Sequence, residues 1–101
     1  MTRRLTILPQ AELDVSDAAA WYEQQRAGLG DEFLDELDSV LRRVIIDPFQ
    51  FPKIKNQIRR ALLRRFPYSV YFAVTGETLE LIAVLQQRRD PRSWEKRLIT
   101  E

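Results

Sequence analysis

No histidine and no cysteine occur among the 101 residues. Without histidine the chain lacks the side chain whose ordinary pKa lies nearest neutrality, and the commonest metal ligand. Without cysteine it has no disulfide, no thiolate nucleophile and no thiolate metal site. Ser-His-Asp and Cys-His chemistry and the usual zinc hydrolases are thereby excluded. Glycine is scarce, at three residues. No apolar run approaches the ~20 residues of a bilayer-spanning helix, so no membrane association is expected. Two arginines follow Met1-Thr2, but no apolar core region comes after them and Pro9 interrupts early. A cytoplasmic chain without a leader is the expectation.

What is present is the composition of a folded domain: 45% hydrophobic residues, 31% charged, and five Phe, three Tyr and two Trp to bury. The length suits a single domain over residues 1–101. The net charge of +1 conceals an asymmetry. Residues 1–51 carry five basic and ten acidic side chains, whereas residues 52–101 carry eleven basic and five acidic. No acid occurs from Lys53 to Gly76, while six bases fall between Lys53 and Arg65. Such a block is either a solvated face or a surface for something anionic. Thirteen of the sixteen bases are arginine, the better fork for phosphate and carboxylate.

Residues 2–8 read as a strand that Pro9 closes, proline being tolerated at the first helical position. Ala11, Val15, Ala18 and Tyr22 then recur at helical spacing and form one apolar stripe, with Trp21 beside it as a further packing residue. Gly28-Leu29-Gly30 ends that helix. Asp31 and Glu32 suit the positive end of a second one, whose buried stripe is Phe33, Leu37, Val40, Leu41 and Val44. Asp47-Pro48 stops it, because the residue before proline is pushed out of the helical region. A loop over 48–52 follows, and Lys53 and Lys55 beyond it read as solvated. The period then changes to two. Residues 58–65 form a strand of imperfect alternation. In the next, 67–74, Tyr68, Val70, Phe72 and Val74 face one way and Ser69, Tyr71 and Ala73 the other. Thr75-Gly76-Glu77 signals a hairpin, 79–85 is apolar on both faces apart from Glu80, as a central strand is, and 92–99 suits a short terminal helix. The order predicts a two-layer α+β domain: an N-terminal strand, a helical hairpin, a three-stranded antiparallel sheet and a C-terminal helix.

Four segments in that order resemble the RelE/ParE superfamily of bacterial toxins from type II toxin–antitoxin modules. They are Ala18-Ala19-Ala20-Trp21-Tyr22-Glu23-Gln24 with Gly28-Leu29-Gly30-Asp31-Glu32-Phe33-Leu34; Pro48-Phe49-Gln50-Phe51-Pro52; Arg64-Arg65-Phe66-Pro67-Tyr68-Ser69-Val70-Tyr71; and Ala83-Val84-Leu85-Gln86-Gln87-Arg88-Arg89-Asp90-Pro91. The resemblance implies the RelE/ParE-like fold, a cognate antitoxin as partner and no cofactor or metal. Its two branches differ in target: RelE-like members cut mRNA on the ribosome, and ParE-like members poison DNA gyrase.

The RelE-like pattern places an arginine where this chain has Ser69, and a tyrosine can stand where it has Trp94, which cannot exchange a proton. The resemblance therefore leans to the ParE-like branch, with no catalytic residue assigned and Arg60, Arg65, Arg88, Asp90 and Trp94 as target- or phosphate-binding residues. In the ribonuclease alternative, Arg60, Arg65 and Arg88 would hold the scissile phosphate. An inactive antitoxin-binding module is the third reading. Arg59, Arg60, Arg64 and Arg65 have a plainer role open to them as charges that keep an edge strand soluble. Neighbours on a strand face opposite ways, so at most half of them line one site.

Overall fold

The computed structural model describes residues 3–88 and 95–97. Strand β1 (Arg4–Ile7) leads into helix α1 (Pro9–Gln25), and helix α2 (Leu29–Ile46) returns against it. A 3-10 turn (Pro48–Gln50) precedes β2 (Lys53–Lys55), β3 (Ile58–Leu62), β4 (Tyr68–Thr75) and β5 (Thr78–Gln86). All five strands form one sheet in the order β1-β5-β4-β3-β2. The α+β class and the helical hairpin are as expected, but the sheet has five strands where the sequence suggested three. The N-terminal strand joins the same sheet, pairing parallel to β5 from Arg4 with Thr78 to Ile7 with Leu81. Lys53-Ile54-Lys55, read as the far side of a loop, adds a short antiparallel edge to β3. Residues 95–97 are helical; the rest of the expected terminal helix lies outside the described residues.

The turn between the helices rests on two glycines. Gly28 takes a positive φ of 89°, which suits a residue without a Cβ. A Cβ on Gly30 would stand 2.6 Å from the carbonyl oxygen of Ala19, so glycine is what lets α2 approach α1 so closely. The start of α2 is capped from the neighbouring helix, since the Glu23 carboxylate accepts the N–H groups of Gly28 (2.9 Å) and Gly30 (3.0 Å).

The alternation in β4 sorts the two faces of the sheet as expected. Tyr68, Val70 and Phe72 join Ala11, Ala18, Tyr22, Phe33, Leu37, Val40 and Val44 in the core between sheet and helices. Tyr71 and Ala73 point away, with Ile58, Ile82, Ala83 and Leu85. A bulge makes this possible: Tyr71 pairs with Ala83 but Phe72 with Leu81, so Ile82 is an extra residue that shares a face with Ala83. The aromatic centre of the core is Tyr22, stacked on Phe33 at 5.4 Å and edge-on to Phe66 at 4.7 Å. Trp21, expected to pack, is instead 53% exposed, because α1 meets the sheet along the narrow stripe of Ala11, Ala18 and Tyr22.

Candidate functional site

Two chain features position the expected site residues. Arg60 stands opposite Tyr71 on β4, which pairs in turn with Ala83, so its side chain lies on the sheet face turned away from the helices. Arg65, just beyond β3, goes the other way. Its Nη2 donates to Glu32 on α2 at 2.7 Å, and Glu32 also takes Arg26 at 3.3 Å. These two guanidinium groups, directly bonded first by Arg65, hold the Glu32 carboxyl below its ordinary range. Glu36, one turn along, accepts the backbone N–H groups of Arg64 and Arg65 and so ties the start of the β3–β4 connection to α2. The structure therefore does not bring Arg60 and Arg65 to one face. Arg88 is exposed just past β5 and makes no ion pair with a described residue. Asp90 and Trp94 lie outside the described residues.

The face that carries Arg60 has little of a phosphate cleft. Its floor is Ile58, Tyr71, Ala73, Ile82, Ala83 and Leu85, all buried. Ser69 belongs to the same face, is fully buried and has an Oγ without a hydrogen-bond partner. Residues 95–97 bind on two sides of this surface: Glu95 pairs with Lys55 of β2 at 2.6 Å, and Arg97 pairs with Asp14 of α1. Lys55, read as solvated, is thus engaged.

The second of those contacts is not legible in the sequence, in which Asp14 stands one step off the apolar stripe of α1 with nothing local to pair it. Beyond Leu81 no described strand flanks β5 on its β1 side, because β1 ends at Ile7 and the chain turns into α1. Asp14 fills in by accepting the Val84 N–H at 3.0 Å. Arg97 donates to both Asp14 oxygens (2.7 and 3.0 Å) and to the Ile82 carbonyl (3.0 Å). Next to this clasp a cavity of about 300 Å³ opens along the bare edge of β5, lined by Asp14, Asp17, Trp21, Tyr68, Val84 and Gln86. A more apolar groove of about 620 Å³ runs between the helices and β1, lined by Ile7, Leu13, Val15, Leu37, Leu41 and Leu81. Among the described residues no three carboxylates gather as a metal site would require.

The helical hairpin on a five-stranded sheet is the fold of a known class of small proteins. A solved structure titled "Chromosomal ParDE TA system from P. aeruginosa" superposes with a TM-score of 0.75, covering 84% of this chain and 96% of that one at 16% identity. That likeness concerns the fold. At the level of sequence, residues 5–91 match the family described as the ParE toxin of the type II toxin–antitoxin system parDE, and the chain belongs to that family. It is also 29% identical over 100 residues to "Toxin ParE2" of two Mycobacterium tuberculosis strains, covering 94% of this chain and 91% of the relative. Membership of a type II toxin–antitoxin family implies an antitoxin as partner. No helix among the described residues is long and apolar enough to cross a membrane.

Proposed function

We propose that the chain arrests growth by binding DNA gyrase stoichiometrically in the cytoplasm, and that its cognate antitoxin silences it. One observation carries the choice of binder over nuclease. The sheet face on which a RelE-like site would be built is apolar, and the position of its arginine holds Ser69, fully buried. With neither histidine nor cysteine in the chain, proton transfer would fall to groups such as Tyr68 and Tyr71, both buried. General acid–base help is worth ~10²–10⁴ in rate, and a chain without it would cleave RNA feebly even with phosphate bound. The target contacts are Arg60 and Arg88; Arg65, on the other face and paired with Glu32, is left out, and Asp90 and Trp94 lie beyond the described residues. The antitoxin lays an amphipathic segment into the groove lined by Ile7, Leu13, Leu37 and Leu41.

Both target assays belong on one preparation. We expect inhibited supercoiling and accumulation of cleaved DNA with gyrase, no cleavage of mRNA on ribosomes, and loss of the gyrase effect in a folded Arg88→Ala variant. Ribosome-dependent cleavage that Arg88→Ala abolishes, with gyrase untouched, would overturn the proposal in favour of the ribonuclease.

A further inference from the structure

The end of the molecule beyond the C-terminus of α2 gathers positive charge that no ion pair among the described residues neutralises. Phe49, in the 3-10 turn, is 55% exposed. The guanidinium carbons of Arg3 and Arg59 each lie 5.1 Å from the centroid of its ring. Arg43, in the last turn of α2, lies 5.6 Å from the ring of Phe51. Arg59 is fixed further, its Nη1 donating to the Phe51 carbonyl at 2.6 Å. Lys53 stands directly opposite Arg59 across the β2–β3 pair, so the two cations share a face. Like charges in that position destabilise a sheet. Among the described residues no carboxylate pairs with Arg3, Arg43, Lys53 or Arg59. Two acids belong to this end, Asp47 between α2 and the 3-10 turn and Glu77, which lines a hollow with Arg3, Arg4 and Thr78; neither forms an ion pair with a described residue.

This pattern defines the chemistry of a partner. A guanidinium stacked on a ring keeps its edge N–H groups free and has its plane already set, so less freedom is lost when it forks onto a phosphate. The hollow at this end is polar, lined by Arg3, Arg4, Glu77 and Thr78, and offers no apolar groove for a peptide helix or strand. Nor is there a row of exposed rings on which successive unpaired bases would stack, Phe49 being the one large exposed aromatic of the turn. A regular polyanion touching a charged surface through its backbone fits both facts. We propose that Arg3, Arg43, Lys53 and Arg59, ordered by Phe49 and Phe51, bind the phosphodiester backbone of duplex DNA. The proposal needs neither gyrase nor the antitoxin, and its failure would leave the target reading standing.

The test is fluorescence anisotropy with a labelled duplex DNA of mixed sequence, titrated with the full chain over a range of salt concentrations. Binding at low salt should weaken with a log–log slope of about −3 to −4, as three or four phosphate contacts require. The double variant Arg3→Ala, Arg59→Ala should bind at least about tenfold more weakly at low salt and lose about two units of that slope. Phe49→Leu, which removes the stack and no charge, should weaken binding with the slope retained. Arg42→Ala, whose guanidinium pairs with Asp38 on the outer face of α2, should bind as the parent does. Circular dichroism verifies that each variant is folded. Undetectable binding at low salt, equal losses in the Arg42 and the Arg3/Arg59 variants, or tighter binding of a poly-glutamate peptide or of duplex RNA would each overturn the proposal.

Discussion

Among the described residues two ion pairs tie the helical layer to the rest of the chain, and they stand in opposite settings. Arg97 and Asp14 are 16% and 13% exposed, whereas Arg65 and Glu32 are 60% and 36% exposed. The first pair closes the bare edge of β5, where one carboxylate serves both the guanidinium and the Val84 N–H. The second shares its carboxylate with Arg26, and water can take over either bond. Removing one partner of a buried pair strands the other in a medium that solvates it poorly, while exposed pairs contribute little. Both pairs look alike as charges in a sequence; their burial makes one of them part of the fold.

Substitutions can break that contrast at graded strength. The upper reference is Leu37→Asp, which buries a charge with no partner at all and should cost more than about 4 kcal/mol, so that the purified variant lacks a cooperative thermal transition. Asp14→Ala comes next. It removes the carboxylate from Arg97, which keeps the Ile82 carbonyl, and takes the acceptor from the Val84 N–H, and urea unfolding should register a loss of about 2 kcal/mol. A loss no larger than that of an exposed-pair variant would show that water reaches the clasp and that the contrast is false.

Two pH experiments sharpen the comparison with smaller effects. Burial, and then the neighbouring Tyr68, raise the pKa of Tyr22 above its ordinary value of about 10. Its contribution to stability is therefore full below pH 10 and is lost as pH rises through the elevated value. Tyr22→Phe should flatten the alkaline fall in thermal midpoint. Glu32 has the opposite sign, its pKa being lowered by Arg65 and Arg26. Its contribution is full above about pH 4.5 and is lost as pH falls through the lowered value. In Glu32→Gln that acid limb should be shallower, with the neutral midpoint nearly unchanged.

The sequence reveals what is local and periodic. The stripe of α2, the alternation of β4 and the turn at Gly28 each depend on neighbours a few residues away, and the structure places them as read. The parallel partner of β1 begins at Thr78, far along the chain, and no local pattern announces it. β2 has only three residues, two of them lysine, so its charge masked its pairing. Among the site residues, Arg65 was legible as a cation but not as the partner of Glu32, which arrives from another element. Asp14 was missed for the same reason. A carboxylate one step off an apolar stripe reads as solvated until the strand edge it caps is known.

The parallel pairing of β1 with β5 also dictates an order of events during synthesis. Two parallel strands cannot meet through a tight turn, and here both helices and three other strands lie between them. Loop closure over that separation must precede the contacts that reward it, which slows folding. On the ribosome the helical hairpin is complete while β1 still lacks a neighbour, and its unpaired edge stays open to other chains during that interval. The surface that α1 and β5 build together comes into being only after β5 has left the ribosome.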